Sequence, residues 1–276
     1  MRMRMKMLKK YIFLLAGIAL MAGTLSGCGK EKEPELLSEV SRHNRLIVAT
    51  EASLPPWAYH DEKGQLTGFE VDVANAIGEK LGVNVMFYEC NWDDLFKGLD
   101  SGKYDILISS IEKTPEREEK YQFTDPYAYM KIALAVSENN TDINSFKDLN
   151  GKKTCNAHGS TYAMMAADQG ADVENVGALS TAVNVLVSGQ CDAVINTEVS
   201  IEDYMDSHPD VPIKIAALSD DLARFYIPLR KETESDSLKS AINDALKELS
   251  DDGTLTELSI KYFGRDISNE ESARGL

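Results

Sequence analysis

The 276-residue chain predicts an α/β fold built from two mainly parallel sheets flanked by helices. Three observations carry that expectation. Between Arg45 and Ile108, strand-like apolar runs alternate with helix-spaced ones, the order expected of a parallel sheet with crossover helices. A second alternation of the same kind runs from Lys131 to Ala216. Ser235 to Leu249 then sets Leu238, Ala241, Ile242, Ala245, Leu246 and Leu249 along one face of a long amphipathic helix. The folded part would be roughly 225 residues, which suits one large domain or two small ones. Two separate domains in series and two lobes sharing a chain that crosses twice both fit this pattern.

Residues 1–27 read as a leader outside the fold. Arg2, Arg4, Lys6, Lys9 and Lys10 form a basic start, and Tyr11 to Leu25 is apolar over the length of a signal-peptide core, short for a spanning helix. Leu25-Ser-Gly-Cys28 follows and resembles a bacterial lipobox, which implies cleavage before Cys28 and lipidation of its thiol. An ordinary secretory signal with a chance cysteine is the alternative. Lipidation would tether the protein to a membrane without a transmembrane helix. Residues 28–41, with Lys30, Glu31, Lys32, Glu33, Pro34 and Glu35, read as a polar tether.

Removing the five leader cations from a formal charge of −16 leaves −21. So acidic a surface argues against nucleic acid, which is bound largely by neutralising phosphates. It suits an exported domain. Apart from Cys28, the cysteines are Cys90, Cys155 and Cys191, without metal-like spacing; export permits a disulfide between two of them, and the sequence does not choose the pair. His43, His60, His158 and His208 are scattered, so neither a metal nor any other cofactor is expected.

In chain order, Arg45–Thr50 is the first strand, and Glu51 to Trp57 is a loop stiffened by Pro55 and Pro56. Trp57 reads more readily as packing than as cleft lining. His60 to Gly64 is a hairpin turn. Val71 to Leu81 is helical with Gly82 as its stop, Val83 to Tyr88 a strand, and Trp92, Leu95, Phe96 and Leu99 repeat at helix spacing. Tyr104 to Ile108 is a buried strand. The second set has strands at Lys131 to Val136, Lys153 to Ala157, Asp192 to Asn196 and Val211 to Ala216. Its helices are a short one at Phe146 and Leu149, one opening at Gly159-Ser-Thr161, one around Val183 to Val187, and Glu198 to His208.

The stretch Ser109 to Tyr127 organises the rest. It opens with two small polar residues at a strand end, where ligands gather in open α/β sheets. Thr114-Pro-Glu-Arg117 then reads as a helix start, with threonine as N-cap and proline at the first helical position. The positive end of a helix prefers an anion, so Arg117 calls for a negative partner, and its forked donors match a carboxylate. Surface pairing with Glu116, Glu118 or Glu119 is the plain alternative.

This stretch, with Phe123-Thr-Asp-Pro-Tyr127, resembles the signature of the extracellular solute-binding proteins that serve ABC importers of amino acids. Further landmarks are Leu66 to Val73, Gly159-Ser-Thr161, Cys191 to Ile195, and Gly253-Thr-Leu255 through Lys261-Tyr-Phe-Gly264. The resemblance covers about Leu46 to Phe263. It implies the two-lobed periplasmic-binding-protein type II fold with a two-strand hinge. Lobe one would be 42–131 and 223–264, lobe two 132–222, and 265–276 a C-terminal tail, with crossings near Tyr129 to Ile132 and Asp220 to Tyr226. It also implies a monomeric, extracytoplasmic receptor that closes on a free amino acid and hands it to a permease, with no catalytic residues. A sensor domain or a small-acid-processing enzyme on the same fold is the alternative.

By the same resemblance Arg117 and Thr161 would hold the ligand α-carboxylate, with Ser160 beside them at a helix start that suits an anion. Plain helix capping would put the same residues there. Ser109 and Ser110 would present backbone oxygen and hydroxyl, Trp92 an aromatic ring, and Glu51 a contact to a distal group. Trp92 fits a core position equally well, and Glu51 a solvated loop. Two positions depart from the common pattern. A neutral residue is usual where this chain has Glu112, and an acid that binds the α-ammonium is usual where it has Thr197. A buried ammonium needs an anion. Glu112 is therefore expected to supply it from lobe one, with Glu198 as its rival, and Glu51 and Glu112 together would favour a cationic ligand.

Overall fold

The computed structural model describes residues 35–275. The leader, the Cys28 lipidation site and most of the tether lie outside those residues. The last tether positions differ from expectation: Leu36–His43 forms a helix, α1, that buries Val40 and packs Leu36 and Leu37 on the core. Apolar residues at helical spacing give these positions a face to bury, which a purely polar tether lacks.

The first lobe starts with Arg45–Thr50 (β1), whose Leu46, Val48 and Ala49 are fully buried. A hairpin of Tyr59–His60 (β2) and Leu66–Thr67 (β3) leads to Phe69–Leu81 (α2), which Gly82 ends in the left-handed conformation, φ 69°. Asn84–Glu89 (β4), Trp92–Asp100 (α3) and Ile106–Leu107 (β5) complete a parallel three-stranded sheet of order β4-β1-β5. The crossovers are helical, as periodicity requires. Pro115–Lys120 (α4) is capped by Thr114, whose Oγ1 accepts from Arg117 N at 3.2 Å.

Tyr121–Phe123 (β6) and Ala128–Met130 (β7) follow, and Ile132–Ser137 (β8) enters a second sheet. That sheet also takes in Lys153–Asn156 (β9), Asp172–Asn175 (β10), Ala193–Thr197 (β11) and Ile213–Leu218 (β12), in the order β10-β9-β11-β8-β12. Only β8 runs against its neighbours, because it enters straight from the other lobe with no crossover helix. Thr161–Asp168 (α5), Leu179–Val187 (α6) and Glu198–Ser207 (α7) cover it. The strand Asp172–Asn175 was not foreseen, since its Asp172 and Glu174 break the apolar pattern.

The chain returns through Ala223–Phe225 (β13), paired antiparallel with β7, and Pro228–Arg230 (β14), paired with β6. Asp236–Asp251 (α8) and Thr254–Phe263 (α9) then pack on α2 of the first lobe. Residues 265–275 are more than a loose tail. Tyr129 N donates to Ile267 O at 2.8 Å, Ile267 is fully buried, and Glu270–Arg274 (α10) follows. Arg265 also reaches the second lobe, pairing with Glu198 at 2.7 Å and Glu202 at 3.6 Å.

Candidate ligand-binding cleft

Two strained loops at the ends of lobe-one strands face the second lobe. After β1, Ala52 has φ 55°, and after β5, Ser110 has φ 48°. Side chains other than glycine rarely adopt this region, and such strain persists only where the surroundings impose it. At Ser110 the surroundings are Glu70. Its Oε1 accepts from Ser110 N at 2.5 Å, Ser110 Oγ at 3.1 Å and Tyr127 OH at 2.5 Å. Glu70 is 1% exposed, and burial pushes its carboxyl up to about 7 against the pull of those bonds.

Local sequence explains how Glu70 arrives there. Gly68, at φ 126°, precedes α2, and a Cβ on it would stand 2.3 Å from Trp57 O, so only glycine permits the approach. The first amides of α2 then donate to the proline loop, Phe69 N to Pro56 O and Glu70 N to Trp57 O. Sequence reasoning gave Glu70 no role, although it lies within a landmark motif. Its partners Ser110 and Tyr127 are 40 and 57 residues away in the chain.

Between the lobes lies a cavity of about 650 Å³, its open mouth included. Six of the expected residues line it: Glu51, Trp92, Ser109, Ser110, Ser160 and Thr161. Ser160 caps α5, accepting from Ala163 N at 3.1 Å, which leaves the first helical amides, at Thr161 and Tyr162, outside the cap. Burial raises the Glu51 carboxyl, against a bond from Ser53 and reinforced by Asp93.

Arg117 and Glu112 stand together beside this cavity. Arg117 is 8% exposed, and its guanidinium lies over the rings of Trp92 and Phe96, 5.6 and 5.1 Å from their centroids. Nη1 donates to Glu112 O at 2.8 Å, and Nη2 crosses to Gly159 O of the second lobe at 2.9 Å. None of its neighbouring glutamates forms an ion pair with it among the described residues. The Glu112 carboxylate accepts from Thr161 Oγ1 at 2.5 Å. Burial raises the Glu112 carboxyl, while Thr161 and the Arg117 charge pull it back. A lobe-one carboxylate thus meets the helix start that an anion would seek.

Thr197, expected at the ligand, is fully buried and away from the cavity lining. It receives Trp57 Nε1 at 3.2 Å and donates to Ser200 Oγ at 2.7 Å, so its hydroxyl is used in capping α7 and in packing. Its neighbour Asn196 lines the cavity instead. Glu198 is committed to Arg265. Trp57 is fully buried among Phe69, Phe225 and Phe263. Trp92 Nε1 bonds His158 O across the cleft at 3.2 Å. Asn156 and Tyr162 also line the cavity, and nothing in their local sequence marked them. Cys90, Cys155 and Cys191 are free thiols.

Two α/β lobes joined by crossing strands, with hydroxyls and amides from both facing one cavity, have the architecture of a binding protein of the periplasmic type II fold. Residues 46–265 match the bacterial extracellular solute-binding proteins, family 3, and the chain belongs to that family. It is 33% identical to a probable amino-acid ABC transporter-binding protein of Haemophilus influenzae over 92% of this chain and 98% of that one. It is 32% identical to an L-cystine-binding protein of Bacillus subtilis over 93% of this chain and 97% of the relative. Among solved structures it resembles an ancestral arginine-binding protein bound to arginine, with a TM-score of 0.75 and 36% identity over 80% of this chain and 99% of that one.

Proposed function

We propose that this protein is a lipid-anchored extracytoplasmic receptor that binds a free amino acid between its lobes and delivers it to the permease of an ABC importer. The observation that carries the reading is the corner shared by Arg117 and α5. A buried guanidinium from lobe one bonds Gly159 O, two residues before Thr161, so a carboxylate entering there would touch a cation and helix amides from opposite lobes. Binding at that corner therefore favours closure, since only the closed arrangement supplies both sets of donors. The lobes would divide as 42–131 with 223–264 and 132–222, and the β7–β13 pair would be the hinge. The names of the relatives, which include amino-acid, cystine and arginine binders, support the ligand class and the transporter. The protein acts as a monomer and is a carrier, not an enzyme.

A thermal-shift screen of free amino acids tests the ligand class. A ligand present at a hundred times its dissociation constant stabilises by roughly 2.7 kcal/mol, a shift of several degrees. No shift with any amino acid at millimolar concentration would sink the reading. The anchor has its own test. Mass spectrometry of membrane-extracted protein should find a diacylglyceryl group on an N-terminal Cys28, and Cys28→Ala should release the protein into the soluble fraction. A Cys28→Ala protein held as firmly as wild type would rule the anchor out.

A further inference from the structure

The cavity extends past the carboxylate corner into the second lobe. Register places Val194 of β11 beside Cys155 of β9, because Ala193 pairs with Thr154, and both join the apolar cluster that contains Ala182 of α6. Cys155, Val194 and Ala182 all line the cavity, so it enters between this sheet and α6. Small side chains leave the space. At Gly177, on the same wall, a Cβ would meet nothing within 4 Å.

The recess has two polar groups. Asn156 is 4% exposed, and its Nδ2 donates to Ile195 O at 2.6 Å. A carbonyl can only accept, so the amide orientation is fixed and Oδ1 becomes the second group of the side chain. That Oδ1 is buried without a partner, a costly state that a ligand donor would relieve. Asn196, on the next strand, has its Oδ1 occupied by Thr197 N at 2.8 Å, which leaves its amide nitrogen as a donor. The residues that form the recess carry no charge, and burial pushes the Cys155 thiol up, so it stays neutral. Glu51, by contrast, lies on the lobe-one loop after β1.

Resting on the amino-acid reading above, we propose that this recess is the side-chain subsite and that it takes an uncharged side chain ending in a group that both donates and accepts, a primary carboxamide first. A carboxamide would give its N–H to Asn156 Oδ1 and take the Asn196 amide on its oxygen. A cationic or anionic side chain would have to shed its water for a recess whose lobe-two walls carry no counter-charge, while burial disfavours the charged form of Glu51, the acid on the same lining, so a charged side chain is selected against.

The experiment is titration calorimetry of the full-length protein with glutamine, asparagine, alanine, lysine, arginine, glutamate and cystine. Wild type is expected to bind glutamine or asparagine at least tenfold more tightly than any charged member of the panel. In Asn156→Leu the preference for the carboxamide over alanine should fall at least tenfold. Gly177→Val adds a branched side chain to the cavity wall at an exposed, unstrained position and should cut the same preference, which keeps the test alive if the Asn156 variant does not fold. A wild-type preference for lysine, arginine, glutamate or cystine would overturn the inference and leave the amino-acid reading standing. So would variants whose carboxamide-to-alanine ratio stays within threefold of wild type. Failure of every panel member to bind would remove the amino-acid reading itself, and the subsite with it.

Discussion

Arg117→Ala is expected to weaken amino-acid binding by about 2–5 kcal/mol, roughly 30- to 5,000-fold, because a ligand carboxylate would be left in the cleft without its cation. The same change removes the cross-lobe bond to Gly159 O and the stacking on Trp92 and Phe96, so it should also disfavour the closed arrangement. Arg117→Lys should lose much of the affinity too, since a point charge cannot bond Glu112 O, Gly159 O and a ligand with the geometry of a fork. Calorimetry on both variants decides. Either one within threefold of wild type would reduce Arg117 to a lobe-packing residue. Glu112→Gln is the companion measurement. Its carboxylate stands on Thr161 in the field of Arg117, where it competes with a ligand anion, so its removal should tighten binding. A loss of about 2–5 kcal/mol would instead give Glu112 the ammonium-holding role that the sequence pattern suggests.

Glu70 should govern stability and its pH dependence. Glu70→Ala strands Ser110 N and Tyr127 OH in a buried site, and a cost of about 3–5 kcal/mol in chemical denaturation is expected. The folded carboxyl is raised to about 7 from an ordinary 4.5. Below 4.5 both states hold the proton. Between 4.5 and 7 the folded state keeps it while the unfolded chain has released it, so stability falls as pH rises, by about 1.4 kcal/mol per unit and roughly 3 in all. Above 7 the contribution is flat. Glu70→Gln removes the titration, so the stability of wild type relative to this variant should decline through that window. A difference that stays constant from pH 4.5 to 8 would show that Glu70 does not titrate there.

Local chemistry was enough to locate most elements. A continuous apolar run marked the strand Arg45–Thr50, the 3.6-residue period with Gly82 marked Val71 to Leu81 of the helix Phe69–Leu81, and the threonine cap with proline marked the start of Pro115–Lys120, because each depends on neighbours within a few positions. The resemblance, rather than local chemistry, pointed to both sides of the cleft: six of the nine residues it implied line one cavity. What remained open were contacts between residues far apart in the chain. The side chain of Glu198 meets Arg265, that of Glu112 meets Thr161, and that of Glu70 meets Tyr127, at separations of 67, 49 and 57 residues. Thr197 and Asn196 show the finer limit. The hydroxyl of Thr197 turns to Trp57 and Ser200 while Asn196 lines the cavity, a choice set by how β11 runs into α7. Periodicity therefore determined most of the helices and longer strands, though not the helix Leu36–His43 or the strand Asp172–Asn175, and which strand ends carry polar groups. The packing of one lobe on the other decided which of those groups are spent within the protein and which are left for a ligand, because a side chain's free donors depend on partners that only the folded chain brings within hydrogen-bond reach.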